Sequence, residues 1–298
     1  MKTTRRDFLK YCGISAAALG LTTSDLFDLR EALANPGGPS VLWLQGAGCT
    51  GCSVSLLNRI SPQAPTTAAD LLINSINLVY HPNVMTAAGA SAVEAMEATY
   101  VRGGYVLAVE GGVPTGFGGA TGWAMTDGAG NHVTLAQAVQ KYASRAAAIV
   151  CMGTCAAWGG IPASGTNPAG IRGIGAHTGS RTINIAGCPP HPDWMVWPVV
   201  QLILGRSISV DSTGRPKAIF NRTIHDRCPL KEQDEAKRWA QPNACLKSLG
   251  CRGPETMAPC PVQKWNNGVN WCVGAGSPCL GCTQPSFPRR EAFHKFPG

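Results

Sequence analysis

The sequence predicts an α/β fold: a parallel, doubly wound sheet followed by an irregular carboxy-terminal region. Three observations carry this reading. Short apolar runs alternate with helical stretches up to Gly205, the pattern collapses after it, and several cysteines fall just beyond the apolar runs. A parallel sheet is covered on both faces, so its strands read as short, nearly continuous apolar runs bounded by turns. Runs of that kind separated by helices indicate parallel crossovers.

The elements follow in order. Val41–Leu44 is the first buried strand, and Ile76–Tyr80, Tyr105–Val109, Ala147–Cys151 and Thr182–Ile185 are the next four. Helices are expected over Ser91–Tyr100 and Leu135–Tyr142, the latter with Thr134 as N-cap. Thr126–Asn131 is a turn, the tip of a small hairpin excursion. Beyond about Ser207 a single segment, Lys231–Trp239, has a helical pattern amid Pro, Gly, Asn and Cys. A tail with so little periodicity needs cross-links or metal to hold a shape.

Composition narrows the classes. The 298 residues suffice for one large domain or two ordinary ones with a sizeable core. A hydrophobic content of 44% excludes disorder, and 36 glycines with 22 prolines imply many loops. Charged residues are only 14%, against a usual ~25%. The net charge of +8 is scattered along the chain, which speaks against a nucleic-acid groove. Thirteen cysteines are too few for a disulfide-dense miniprotein, where Cys exceeds ~8–10%, and too many for an ordinary enzyme.

Residues 1–34 read as an address. Arg5-Arg6-Asp7-Phe8-Leu9-Lys10 precedes an apolar run, Tyr11–Leu21, that is too short to span a bilayer. Ala32-Leu33-Ala34 then supplies small residues at cleavage-site spacing. The paired arginines resemble a twin-arginine signal, which implies export of an already folded protein to the periplasm. Cysteines folded in a reducing cytosol are more often metal ligands than disulfides. With no other run near twenty apolar residues, no membrane anchor is expected in the mature chain.

Cys49 and Cys52 follow the first strand, Cys155 the fourth and Cys188 the fifth. Residues just beyond the carboxyl ends of parallel strands converge on one crevice. These four thiols are therefore expected to meet, as a four-thiolate metal site requires. Cys151 lies inside its strand and reads as a small buried apolar residue. The tail adds His225, Cys228, Cys245, Cys251, Cys260, Cys272, Cys279 and Cys282, enough for two further four-ligand sites. Thiolates suit both zinc and iron–sulfur clusters, so donor type alone leaves both open.

At this point the motifs match a known family. Leu44–Ser53, with Cys49-Thr50-Gly51-Cys52 at its centre, resembles the proximal-cluster motif of nickel–iron hydrogenase small subunits. Gly153-Thr154-Cys155-Ala156 and Gly187–Trp194 resemble the other parts of that motif. In the tail, Cys245–Cys251, Trp265–Cys272 and Pro278–Cys282 match as well. The resemblance runs to about Pro288, and in motif pattern it fits the selenium-containing branch. The first half alone also recurs in quinone-linked respiratory enzymes, and the complete tail sets distinguish the two.

The resemblance implies a flavodoxin-like domain over 35–205 and a cluster-stapled domain over 206–298. Cys49, Cys52, Cys155 and Cys188 would hold a proximal [4Fe–4S] cluster, and His225, Cys228, Cys245 and Cys251 a distal one. Cys260, Cys279 and Cys282 would hold the medial cluster. Most members have proline near position 272 and a [3Fe–4S] medial cluster, whereas Cys272 offers a fourth ligand, so three [4Fe–4S] clusters are expected. Oxygen-tolerant relatives carry extra cysteines where this chain has Gly51 and Gly160, so an ordinary proximal cubane is expected. The implied partners are a large subunit that holds the nickel–iron centre and an electron acceptor such as a multihaem cytochrome c. Nothing in this chain resembles the ligand set of that hydrogen-cleaving centre. Glu110 ends the third strand, where the crevice opens. It reads equally as a polar group at the subunit junction, in proton handling or cluster support, or as a hydrogen-bond partner of backbone.

Overall fold

The computed structural model describes residues 38–288, apart from 63, 86 and 240. The expected signal segment, residues 1–34 with Cys12, lies outside the described residues. Five parallel strands form the central sheet: β1 (Ser40–Gln45), β2 (Asn77–Tyr80), β3 (Val106–Glu110), β7 (Ala148–Met152) and β9 (Ile183–Ile185). Their spatial order is β2-β1-β3-β7-β9. Each lies within a residue of its expected bounds at either end. Two small antiparallel pairs stand outside this sheet: β4 (Val113–Pro114) with β8 (Ile171–Arg172), and β5 (Trp123–Thr126) with β6 (His132–Thr134). The latter is the expected hairpin, its tip tied by Asp127 Oδ1, which accepts from the amides of Ala129 and Asn131.

The strands sort their side chains by parity. Val41, Trp43, Val106, Ala108, Val150 and Met152 join one core cluster. Leu42, Leu44, Leu107, Val109, Ile149 and Cys151 join the other. Successive residues of a strand point to opposite faces, so a sheet covered on both sides needs apolar residues at every position. The second face is covered in part by α3 (Ala90–Arg102) and α4 (Leu135–Ala143), and Ile174 of α6 (Ile174–Thr178) joins the same cluster. Buried Leu135, Ala138, Val139, Tyr142 and Ala143 in α4 repeat at helical spacing. Thr134 caps α4 as expected, in a reciprocal capping box with Gln137.

The first face is covered by three helices and by the tail. The helices are α1 (Gly51–Leu57), α2 (Ala68–Asn74) and α7 (Pro192–Ile203). Trp194 of α7 packs edge-on against Phe220, at 5.5 Å, and Trp265, at 6.0 Å. Ile219, Phe220, Ile224, Leu246, Leu249, Trp271 and Val273 of the tail belong to this same cluster. The tail thus borrows its core from the sheet.

One expected element is absent. Lys231–Trp239 forms turns and bends rather than a helix. Its backbone pairs elsewhere: the Ala236 amide donates to the Cys245 carbonyl and the Cys245 amide to Asp234, both at 2.8 Å. A non-local bridge to a cysteine-bearing segment overrides local helical propensity. Among the described residues, no helix is long and apolar enough to cross a membrane.

Candidate metal centres

In this strand order the chain leaves β1 for β2 on one side and β3 on the other, so a crevice opens at their carboxyl ends. Cys49 and Cys52 stand at that crevice, with Cys52 on the first turn of α1. Cys155 is carried by α5 (Thr154–Trp158), directly after β7, and Cys188 follows β9. Burial pushes the Cys52 thiol well up, followed by the Glu110 carboxylate and then Cys155, Cys188 and Cys49. Cys155 is pushed up to about 11, first by burial and then by Cys188, with Cys49 and Glu110 adding to it. Cys188 is raised by burial and then by Cys49. The four thiols expected to meet are within electrostatic reach of one another.

The backbone leaves room around these sulfurs. At Gly153, φ is +93° and an added Cβ would lie 2.5 Å from Cys52 Sγ. At Gly160, φ is +52° and a Cβ would lie 2.8 Å from Cys155 Sγ. A Cβ on Gly51 would stand 3.0 Å from Cys49 Sγ.

Glu110 supports this crevice from below. Buried at the end of β3, its Oε1 accepts from the amides of Cys52 (2.9 Å) and Ser53 (3.2 Å). Ser53 Oγ donates to Oε2. The carboxylate thereby satisfies donors that a helix start leaves unpaired. Of the two readings of Glu110, these contacts belong to the hydrogen-bond partner. Ser53 Oγ also meets His81 Nε2 at 3.2 Å, while His81 Nδ1 accepts from the Asn83 amide. Nδ1 therefore carries no proton, Nε2 carries the hydrogen, and burial holds the ring's pKa down at about 4. Sequence reasoning passed over Ser53, His81 and Thr154, although His81 directly follows β2 and the other two flank cysteines.

Two further sets lie in the tail. Cys260 is pushed well up by burial and then by Cys282, Cys279 and Cys272. Cys228 is raised by burial, with Cys251 and Cys245 adding to it. His225 joins this second set through its backbone: its amide donates to the Gly253 carbonyl at 3.0 Å, two residues from Cys251. Cys151 is fully buried within β7, as expected.

Two short links connect the three sets in series. Burial and then Cys279 push Cys282 up to about 12, while a backbone hydrogen bond from Cys188 of the first set to that thiol opposes the rise. Thr154 Oγ1 donates to the Cys282 carbonyl and accepts from the Gly187 amide. At the other end, the Cys279 amide donates to Cys251 Sγ at 3.3 Å.

All twelve described cysteines are free thiols. Among the described residues, no three His, Cys, Asp or Glu side chains close tightly enough around one point for a single metal ion. The sets are looser than that. Thiols gathered in threes and fours, mostly desolvated and raising one another, ionise together only around a cationic body. This donor chemistry, and the glycine-lined space beside the sulfurs, fit a thiolate-bound metal group larger than one ion.

Comparison with known proteins agrees. Residues 220–295 match the family model that describes the C-terminal part of the NiFe/NiFeSe hydrogenase small subunit, and residues 49–202 match that of the NADH ubiquinone oxidoreductase 20 kDa subunit. The chain is 39% identical to the periplasmic [NiFe] hydrogenase small subunit of Solidesulfovibrio fructosivorans, over 95% of this chain and 90% of that one. It is 36% identical to the periplasmic [NiFeSe] hydrogenase small subunit of Desulfomicrobium baculatum, over 97% of both. The solved structure of recombinant [NiFeSe] hydrogenase from Desulfovibrio vulgaris Hildenborough superposes with a TM-score of 0.80 at 36% identity, covering 88% of this chain and 99% of its own. With the fold, the cysteine sets and these relatives in agreement, the chain belongs to the small-subunit family of the NiFe/NiFeSe hydrogenases.

Proposed function

We propose that this small subunit relays electrons through three iron–sulfur clusters, between the nickel–iron site of a large subunit and an external carrier such as a multihaem cytochrome c. The reaction served is H2 ⇌ 2 H+ + 2 e−, with hydrogen cleaved on the other chain. When bound, an iron–sulfur cluster supplies reversible one-electron oxidation and reduction. Cys49, Cys52, Cys155 and Cys188 would hold the proximal cluster, Cys260, Cys272, Cys279 and Cys282 the medial, and His225, Cys228, Cys245 and Cys251 the distal. The observation that carries this reading is the serial linkage of the sets, through Cys282 at one junction and the Cys279 amide at the other.

The protein's own part is to hold and tune. Amide donors on sulfur, such as Cys279 N–H on Cys251 Sγ and Gly281 N–H on Cys279 Sγ, stabilise negative charge there. His225 replaces a thiolate by a neutral imidazole and removes one negative charge at the exit set. Glu110 fixes the start of α1 and with it Cys52. The periplasm, reached by the twin-arginine route, is the proposed location. The relatives' names and the residue 1–34 motif support it.

Electron paramagnetic resonance of the anaerobically co-purified heterodimer tests the assignment. With Cys272 as a ligand, the oxidised wild type lacks a strong three-iron signal and Cys272→Ala gains one. A strong three-iron signal in undamaged wild type removes Cys272 from the medial set. A wild-type chain that purifies without a nickel-containing partner overturns the function itself.

A further inference from the structure

Beside the first cysteine set lies a cavity of about 1020 Å³. Val54, Arg59, Ile60, His191, Asp193 and Trp265 are among the residues that line it. Two apolar side chains stand open on its rim, Val54 at 53% exposed and Ile60 at 67%, beside exposed Asn58, Asn266 and Asn267. Its lining includes a buried cation, since Arg59 is only 3% exposed.

The guanidinium is under-served where it lies. Arg59 Nε approaches Asp193 Oδ1 to 3.2 Å, an ion pair aligned too poorly for a hydrogen bond, and the buried Nη1 has no hydrogen-bond partner. Asp193 is itself half turned away: its side chain is partly exposed and it also faces His191 Nδ1 at 3.8 Å. His191 Nδ1 accepts from the Asp193 amide and brings no positive charge to the pair. Asp70 is the other carboxylate that Arg59 feels, and it is engaged by Thr66 and Asn74. A buried arginine with unfilled donors is costly, and a planar carboxylate is the partner its fork matches.

A free anion would fill Nη1 and leave Val54 and Ile60 in water. A protein segment that brings a carboxylate and covers Val54 and Ile60 answers both needs. A buried arginine beside exposed apolar side chains is the anatomy of an interface hot spot. Val54 lies on α1, two residues beyond Cys52. Resting on the function proposed above, we propose that Arg59 receives a carboxylate of the catalytic large subunit, inserted into this cavity against the proximal set.

The test uses the co-purified heterodimer, with subunit dissociation followed by native mass spectrometry in rising urea, and iron content measured alongside. Arg59→Ala is expected to weaken association on the order of 30- to 1000-fold with iron retained, as truncation of a buried, hydrogen-bonded charge does. Arg59→Lys recovers part of the loss, since an ammonium keeps the charge and loses the fork. Ile60→Glu alters only the exposed rim, so it reports on the interface even if Arg59→Ala fails to fold. It is expected to weaken association as well. Wild-type dissociation in Ile60→Glu, or in a folded, iron-replete Arg59→Ala, overturns the proposal. So does a melting temperature raised by acetate or phosphate in wild type and not in Arg59→Ala, with association unchanged, because that marks a small-anion site. Loss of the nickel partner from wild type would instead sink the underlying function.

Discussion

The sheet region and the tail place their cysteines by different means. In the sheet, β1, β3 and β7 pair in an uninterrupted parallel register, and the thiols follow as extensions of strand ends. Cys52 is held further by the Glu110 carboxylate, itself the last residue of β3. Beyond Gly205, pairing among the described residues consists of isolated bridges such as Val210 with Pro216 and Thr223 with Met257. A four-residue helix, Cys260–Gln263, is the tail's longest regular element among them. Its apolar residues complete a core begun by the sheet. A backbone ladder can pre-form a metal site, whereas a loop-built site depends on the group it binds.

That contrast can be broken most decisively by removing the proposed iron–sulfur clusters. Chelation of the anaerobic heterodimer, read by hydrogen exchange, should raise exchange at tail amides such as Ala236, Arg252 and Cys279 by about 100-fold or more. Amides of β1, β3 and β7 should change by less than about threefold. Equal loss in both regions would show one cooperative unit and end the distinction. A smaller effect sharpens the sheet side. Glu110→Ala leaves the Cys52 and Ser53 amides without their acceptor and should cost about 2–4 kcal/mol in urea unfolding, while Glu110→Gln, which keeps one acceptor oxygen, should cost less. A cost below ~1 kcal/mol for Glu110→Ala would mean that the carboxylate does not hold the start of α1. The smallest effect lies on the second sheet face. Thr134→Ala breaks the capping box of α4 and should cost about 1 kcal/mol, with tail exchange unchanged. Faster tail exchange in that variant would tie the second sheet face to the tail.

Much of the sheet was legible because its signal is local. Val41–Leu44 and Tyr105–Val109 are apolar at every position, a pattern that two-sided burial imposes on the chain itself. Thr134 could be read as a cap from its place before an apolar repeat. The Lys231–Trp239 segment misled because its helical pattern was real, and a bridge between Glu235 and Cys245 outcompeted it. Likewise Arg59 gave no sequence signal, since burial and missing partners are properties of the folded neighbourhood.

The sequence by itself determined where strands fall, which cysteines follow them and that the tail lacks a regular core, because periodicity and spacing are written residue by residue. Only the tertiary structure decided how the thiols group and connect. Cys188 meets Cys282, and Cys251 meets the Cys279 amide, across long stretches of chain whose closure depends on the shared core. It also decided that Glu110 faces backbone amides and that Arg59 is buried with a donor unfilled. The physical reason is the same in each case. Local pattern fixes what a residue prefers, and packing fixes what it meets.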